Sequence, residues 1–235
     1  MNDYMVVSKS KKILIIGGTN GIGYALSKHF SEKNYSVFSV GRILKLPKIR
    51  NTKYFFLNLF SKKKLDFFLQ KIKKNRFDLV IHCIGGSLGL KKLDYKSCND
   101  LWYLNCGIMI YINKYLIDNQ LLKPSSNIIL FSSKSSKNLI GSSPYILSKI
   151  YLENYAKLLS KEIMKKKIYV NCIKLGIVAL PNNNWYKCKI DNLKKYKANI
   201  KLHNNNKEIS SIKIFKKIFK ILMTKKLITG KVYNI

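Results

Sequence analysis

The stretch Ile13-Leu14-Ile15-Ile16-Gly17-Gly18-Thr19-Asn20-Gly21-Ile22-Gly23 decides the fold. A short apolar run bounded by turn residues predicts a strand that is buried on both faces. The apolar spacing from Ile22 to about Lys33 predicts a helix directly after the glycines. Glycines at such a junction let the backbone turn tightly and approach a pyrophosphate group, which then lies on the helix N-terminus. The stretch therefore predicts a phosphate-binding turn, although its GxxxGxG spacing differs from the commoner GxGxxG.

Segments that favour strands alternate with segments that favour helices along the rest of the chain. Further strands are predicted at residues 35–40, 54–59, 78–84, 127–131, 168–173 and 231–235. Further helices are predicted at residues 65–72, 97–122, 144–164 and 209–222. This order predicts an α/β, doubly wound Rossmann fold, in which a central parallel sheet of about seven strands carries helices on both faces. We expect residues 1–235 to form one domain.

The chain is strongly basic, with 45 basic and 11 acidic residues and a formal net charge of +34. Only Arg42, Arg50 and Arg76 are arginines, and lysines recur throughout the sequence. Because planar bidentate recognition of phosphates and base edges favours arginine, this pattern indicates a compositional bias, and we expect no specific nucleic-acid partner. A polyanion-binding protein that uses the lysine surface remains an alternative, which salt-sensitive binding to arbitrary DNA would favour.

The cysteines and the apolar segments indicate the compartment. The cysteines are odd in number and contain no CxxC pair; they are Cys83, Cys98, Cys106, Cys172 and Cys188. This usage favours reduced thiols in a cytosol over a disulfide framework. No apolar run approaches the roughly 18 residues of a membrane span, and residues 1–10 lack the hydrophobic region of a signal peptide. We therefore expect a cytoplasmic protein without a membrane span.

Three further motifs follow the glycine loop in order. Asn105 lies in the helix after the fourth strand, Ser132-Ser133 ends the fifth strand, and Tyr145-Ile-Leu-Ser-Lys149 heads a long helix. Together with the glycine loop, this series resembles the classical short-chain dehydrogenase/reductase family from about Lys12 to Ile235. The resemblance implies an NAD(P)-dependent oxidoreductase that interconverts a carbonyl and a secondary alcohol of a small molecule. It also implies a homodimer or a homotetramer.

The resemblance assigns catalytic roles to four residues. Tyr145 and Lys149 are four residues apart and share one face of a helix, where the ammonium group would stabilise a phenolate. The family implies that Tyr145 exchanges the proton, that Lys149 also binds the nicotinamide ribose and that Asn105 organises a water relay. It also implies that a serine polarises the carbonyl. The family's strand pattern gives Ser133 and its common spacing before Tyr145 gives Ser132; we favour Ser133, because a slip would turn every side chain of a buried strand around.

The end of the second strand bears on the choice of cofactor. It reads Ser39-Val40-Gly41-Arg42, without the acidic residue that binds the ribose 2′-hydroxyl of NAD. Because arginine can pair with a 2′-phosphate, Arg42 favours NADP(H) over NAD(H). The resemblance implies a cofactor site formed by Gly17, Thr19, Asn20, Gly21, Ile22, Gly23, Arg42, Asn58, Leu59, Cys83, Ile84, Gly85, Tyr145, Lys149, Gly176 and Val178.

Two family motifs are altered in this chain. His82-Cys83-Ile84-Gly85 stands where the family has NNAG, and Leu175-Gly176 replaces Pro-Gly. These changes support an alternative in which the chain is a regulatory protein that binds NADP and has lost catalytic turnover. The intact set of catalytic residues argues against this alternative; it comprises Asn105, Ser133, Tyr145 and Lys149. The three histidines lack metal or triad spacing, and we expect His82 to line the cleft. We expect the polar segment 181–207, with Lys187, Lys189 and Lys194, to cover the substrate.

Overall fold

The computed structural model describes residues 11–43, 47–181, 183–204, 207–224 and 228–235. A seven-stranded parallel sheet lies at its centre, in the order β3-β2-β1-β4-β5-β6-β7. The strands are β1 (Lys12–Ile16), β2 (Ser36–Gly41), β3 (Thr52–Phe56), β4 (Phe77–His82), β5 (Leu122–Ser133), β6 (Tyr169–Leu175) and β7 (Val232–Asn234). This arrangement confirms the predicted doubly wound Rossmann fold.

Helices cover both faces of the sheet. They are α1 (Gly21–Glu32), α2 (Lys62–Ile72), α3 (Tyr95–Trp102), α4 (Ile108–Asp118), α5 (Ser135–Asn138), α6 (Ser143–Glu162), α7 (Asn184–Asp191), α8 (Leu193–Asn204) and α9 (Ser211–Met223). Helices α2, α4 and α6 pack on one face, and α1 and α9 pack on the other. The sheet therefore lies between two helical layers, with one hydrophobic core on each of its faces.

Strand β1 has the double-sided burial that its composition predicts. Leu14 and Ile16 pack into one core, whereas Ile13 and Ile15 pack into the other, and all four side chains are fully buried. The alternation follows from the two-residue period of a strand. Burial of each such side chain stabilises the fold by about 1.5–3 kcal/mol. The position of β1 between β2 and β4 places the glycine loop near the middle of the sheet.

The predicted helix over residues 97–122 is wrong in two respects. It is interrupted by a π-helical turn at Tyr103–Gly107, and it ends at Asp118 because Gln120, at φ +54°, leaves the helical conformation. Leu122 instead begins strand β5. The apolar residues around this boundary fit a buried strand as well as a buried helix, so periodicity alone did not separate them.

The polar segment 181–207 contains two helices, α7 and α8, that the sequence pattern did not predict. Asn183 precedes α7 as its N-cap, with its side-chain oxygen accepting from the backbone N–H of Tyr186 at 2.8 Å. Residues 182 and 205–206 of this segment, and residues 1–10 at the N-terminus, lie outside the described residues. In the part of the chain that the structure describes, no helix is long and apolar enough to cross a membrane.

Candidate active site

The glycine loop is packed so closely at Gly17 and Gly23 that a side chain does not fit at either position. A Cβ on Gly17 would lie 2.9 Å from the carbonyl carbon of Cys83, and Gly17 has φ +83°. A Cβ on Gly23 would lie 2.2 Å from the carbonyl oxygen of Gly17. The amides of Gly17 and Gly18 donate to the carbonyl oxygen of Val40 at 2.8 and 2.9 Å. The loop therefore holds its backbone against β2 and β4, and glycine is a steric requirement at residues 17 and 23.

The loop opens onto the N-terminus of α1, whose first turn contains no acidic residue. Asn20 is the N-cap and accepts from the backbone N–H of Gly21 at 2.8 Å. A helix N-terminus carries unpaired N–H groups and a partial positive charge that favour an anion. This end of α1, next to a glycine-rich loop, fits the pyrophosphate of a nicotinamide dinucleotide.

The predicted adenine side of the cofactor site lies beside this loop. A Cβ on Gly41 would lie 2.1 Å from Oγ1 of the buried Thr19, so the end of β2 packs directly on the glycine loop. Arg42 follows at once and is exposed. Asn58 is also exposed, and its Oδ1 accepts from the N–H of Phe60 at 3.1 Å. The side chain of the neighbouring Leu59 lies in the core.

Lys149 is a buried cation in a chain whose lysines are mostly exposed. Only 3% of its surface is accessible, and its Nζ donates to the carbonyl oxygen of Phe131 at 3.0 Å. The same Nζ lies 5.5 Å from the centroid of the Tyr145 ring. Among the described residues, no carboxylate lies within 4.0 Å of this ammonium group. Because an isolated buried charge is costly, this burial makes Lys149 a candidate functional residue.

Asn105 is fully buried within the π-helical turn. Its Nδ2 donates to the carbonyl oxygens of Leu101 and Gly86, both at 3.0 Å, and its Oδ1 accepts from the N–H of Gly86 at 3.0 Å. The bond to Leu101 competes with the backbone for the carbonyl four residues earlier, which accompanies the wider turn. The Asn105 amide thus fixes the loop after β4.

The polar side-chain atoms of Asn105 and Lys149 both lie next to the backbone of Gly85. A Cβ on this residue would lie 2.6 Å from Asn105 Oδ1 and 3.1 Å from Lys149 Nζ. Three predicted site residues therefore meet where β4 and β5 end and α6 begins. Because Tyr145 lies one turn before Lys149, with its N–H directed at the N-cap Ser142, it belongs to the same place.

The two serines at the end of β5 have different partners. Ser132 is buried, and its Oγ donates to Glu153 Oε1 on α6 at 2.5 Å. Ser133 Oγ accepts from the N–H of Ser135 at 3.2 Å, which leaves the Ser133 hydroxyl proton available to a further acceptor. The hydroxyl of Ser132 is therefore committed to the protein interior.

The segment after β6 is held by residues that the sequence pattern did not single out. Asn204 accepts from the N–H of Ile177 at 2.7 Å and donates to its carbonyl oxygen at 2.8 Å. A Cβ on Gly176 would lie 1.8 Å from Asn204 Oδ1, and Asn183 Nδ2 donates to the carbonyl oxygen of Val178 at 2.8 Å. Asparagine is a favoured N-cap residue, so Asn183 was a signal for a helix start that the sequence analysis missed, whereas no local signal pointed to Asn204.

His82 does not line the cleft as predicted. It is fully buried, and its Nε2 lies 2.8 Å from Asn113 Oδ1, beneath α4. Burial lowers the pKa of His82 to about 4, with the Asn113 bond opposing that shift. The prediction failed because even and odd positions of β4 face opposite cores, and position 82 faces the same core as Val80. Burial likewise raises the pKa of the Cys83 thiol.

Comparisons with known proteins agree with the fold. The sequence profile of the family described as short chain dehydrogenase matches residues 11–187. The chain is 25% identical to carbonyl reductase family member 4 of Xenopus laevis over 179 residues, or 72% of this chain and 76% of that protein. The structure of ElxO with NADP bound is 23% identical, with a TM-score of 0.82 over 97% of both chains. The structure of 4-hydroxyisoleucine dehydrogenase complexed with NADH is 20% identical, with a TM-score of 0.81 over 96% of this chain and 97% of the other.

Proposed function

This chain belongs to the short chain dehydrogenase family, and on that premise we propose that it is an NADPH-dependent reductase that interconverts a carbonyl and a secondary alcohol of a small molecule. The family consists of oxidoreductases that act on alcohol and carbonyl groups with a nicotinamide cofactor. When bound, the nicotinamide supplies the hydride that reduces the carbonyl carbon. The residues of this chain are left to bind the cofactor, orient the carbonyl and move the proton.

The observation that carries this proposal is the buried ammonium group of Lys149. It lies 5.5 Å from the Tyr145 ring centroid and 3.0 Å from the carbonyl oxygen of Phe131. A cation held in this way stabilises negative charge on a neighbouring phenol oxygen, which the phenol acquires when it gives up its proton. A lysine without a role at this site would be more stable at a solvent-exposed position, where most of the described lysines lie.

Each remaining residue of the site has one task in this proposal. Tyr145 donates its hydroxyl proton to the developing alkoxide, and Ser133 donates a hydrogen bond to the carbonyl oxygen. Asn105 holds the loop after β4 and thereby the space beside Lys149. Lys149 also orients the nicotinamide ribose. Water reached through Asn105 and Lys149 restores the Tyr145 proton.

Arg42 supports NADP(H) over NAD(H) in this proposal. It is exposed, and it directly follows the strand end that packs on Thr19 of the glycine loop. A guanidinium group pairs with a phosphate by charge-assisted bonds. The exposed Asn58 supplies an amide on the same side. The complex of ElxO contains NADP and that of 4-hydroxyisoleucine dehydrogenase contains NADH, so relatives of this fold accommodate either cofactor.

The assembly and the surroundings of the enzyme form part of the same proposal. One exposed face of α6 carries Leu147, Tyr151 and Leu158, which supports a homodimer or a homotetramer through this helix. Light scattering on the purified protein measures the mass of the assembly.

All five cysteines are free, which supports the cytoplasm as the compartment. The segment 181–207 begins close to the glycine loop, where a Cβ on Gly21 would lie 3.9 Å from Asn183 Cβ, and we assign it as the cover of the substrate.

The Tyr145→Phe variant tests the proposed function. It removes only the exchangeable proton, so we expect turnover of carbonyl substrates to fall by about 10²–10⁴-fold while NADPH binds as before. NADPH absorbance measures turnover in a screen of ketones, and fluorescence titration measures binding. Tyr95→Phe, at an exposed position of α3 outside the site and the proposed interface, is the control.

Two outcomes would contradict the proposal. Retention of more than about a tenth of the turnover in Tyr145→Phe would remove Tyr145 from the chemistry. Tight NADPH binding by the unmodified protein, without turnover of any substrate in the screen, would instead favour the regulatory alternative.

A further inference from the structure

The carboxylate of Glu153 lies on α6 behind the candidate active site. Glu153 Oε2 is 3.0 Å from Lys174 Nζ on β6, and the two side chains are 13% and 11% exposed. No other ion pair among the described residues is buried to this degree on both sides. Such a pair seldom adds stability relative to apolar side chains of the same volume, because both charges lose their hydration. The chain has only 11 acidic residues, and one of them is used in this buried pair. Because stability does not account for the pair, the hydrogen bonds that Glu153 accepts offer another explanation.

Glu153 accepts hydrogen bonds from one residue before Ser133 and from one residue after it. Its Oε1 accepts hydrogen bonds from Ser132 Oγ, at 2.5 Å, and from Ser136 Oγ. The hydroxyl of Ser136 also lies 2.7 Å from the carbonyl oxygen of Ser133, so its proton is shared between these two acceptors. A single carboxylate oxygen of Glu153 therefore links Ser132 and Ser136, the two ends of the turn that carries Ser133. Lys174 sits opposite Ser132 in the β5–β6 register and neutralises the charge of Glu153.

The same helix face fixes the site at two successive turns. Lys149 binds the carbonyl oxygen of Phe131, and Glu153, four residues later, binds the hydroxyl of Ser132. Two consecutive residues of β5 are thus held by α6 immediately before Ser133. Because Lys149 and Glu153 share one rigid helix, the position of Ser133 is coupled to the position of the buried ammonium group.

We propose that Glu153 is a positioning residue that sets the orientation of the Ser133 hydroxyl through Ser132 and Ser136. The carboxylate touches neither the substrate nor the cofactor. The proposal rests on the proposed function, in which Ser133 polarises the carbonyl, and it adds the group that holds this serine. Lys174 has the secondary task of keeping the Glu153 charge compatible with burial.

Two double variants separate the hydrogen bonds of Glu153 from its ion pair. Glu153→Gln/Lys174→Met keeps an oxygen that accepts from the two serines, whereas Glu153→Leu/Lys174→Met removes it. Both variants replace the ion pair with neutral side chains of similar volume, so neither leaves an unpaired buried charge that could prevent folding. We expect kcat within about 3-fold of the unmodified protein for the glutamine variant and about 10-fold lower for the leucine variant. The dissociation constant of NADPH should stay within about 2-fold in both.

A third background shows whether the effect passes through Ser133. In the Ser133→Ala protein, adding Glu153→Leu/Lys174→Met should lower kcat by less than about 2-fold, because residues that act as a unit do not add. A further 10-fold loss in that background would show that Glu153 acts elsewhere, and it would overturn the proposal. Equal kcat values for the glutamine and leucine variants would overturn it as well.

Hydrogen exchange gives a readout that does not need turnover. The leucine variant should exchange the backbone amides of residues 133–138 roughly 5-fold faster than the glutamine variant, while residues 17–23 of the glycine loop are unchanged. Equal exchange in residues 133–138 of the two variants would overturn the proposal. If the unmodified protein reduces no carbonyl, the proposed function fails, and hydrogen exchange still decides whether Glu153 holds the turn.

Discussion

Gly85 provides a direct test of how tightly the active site is assembled. A Cβ at this position would lie 2.6 Å from Asn105 Oδ1 and 3.1 Å from Lys149 Nζ, at φ +139°. Its neighbour Gly86 has φ +154°, but a Cβ there would meet no described atom within 4 Å. The two positions thus share a backbone conformation that side chains rarely adopt, and they differ in the space around it. Gly86→Ala is therefore the matched control for Gly85→Ala.

The expected losses of stability follow from these distances. Alanine at either position costs about 1–3 kcal/mol of backbone strain. Gly85→Ala adds the cost of an overpacked contact, about 1–3 kcal/mol, because the buried amide and ammonium groups have little room to move. For a chain of this length we expect its melting temperature to lie about 3–9 °C below that of Gly86→Ala. Circular dichroism during thermal unfolding measures the difference.

The activities should separate the two variants more clearly than their stabilities. Displacement of Asn105 and Lys149 by about 1 Å should lower kcat on the order of 10²-fold in Gly85→Ala. The added Cβ of Gly86→Ala contacts neither group, and Gly86 binds Asn105 only through its backbone, so this variant should lose far less kcat than Gly85→Ala. Equal melting temperatures and equal kcat values for the two variants would refute the close approach of Asn105 and Lys149 at residue 85.

Three further predictions concern the cofactor, the serines and the buried histidine. Arg42→Ala should weaken NADPH binding by about 1.5–3 kcal/mol and leave NADH binding unchanged in titrations, whereas equal losses for both would make Arg42 structural. Ser133→Ala should lower kcat on the order of 10²-fold, as for loss of an oxyanion donor, and Ser132→Ala should stay within a few-fold; the reverse ranking in steady-state assays would exchange their roles. Because the pKa of His82 is lowered to about 4 in the fold from an ordinary value near 6.5, the unfolded state binds the extra proton between these values. Stability should therefore fall by up to about 3 kcal/mol as pH drops from 6.5 to 4, and His82→Asn should lose this part of the dependence in urea unfolding; an identical pH profile for both proteins would contradict it.

Local patterns in the sequence were enough for the architecture and for part of the site. The buried strand before Gly17 and the alternation after it predicted the parallel sheet, because a strand and a helix each reveal their period within a few residues. The four-residue spacing of Tyr145 and Lys149 placed both on one helix face for the same reason. Each of these inferences depends on residues within a single element and its flanking turn.

The boundaries around residue 120 show where local patterns stop being informative. Asp118, Asn119 and Gln120 are polar, and such a group fits the exposed face of a continuing helix as well as a turn. Gln120 has a positive φ and separates the helix from β5. The π-helical turn around Asn105 was also unpredicted, and no residue pattern reveals the side-chain bond to Leu101 that accompanies it. Where the same apolar side chains could be buried in either a helix or a strand, packing against the rest of the sheet decides between the two conformations.

The sequence by itself determined the succession of the seven strands along the chain, the glycine loop and the shared face of Tyr145 and Lys149. Only the tertiary structure decided that the Ser132 hydroxyl is bonded to Glu153, that this carboxylate meets Lys174, and that His82 is buried. These contacts join residues of different elements, and their partners depend on the register of β5 against β6 and on how α4 and α6 lie on the sheet. A pattern with a period of two or of 3.6 residues states which face of an element is buried, but it does not state which side chain of another element lies opposite.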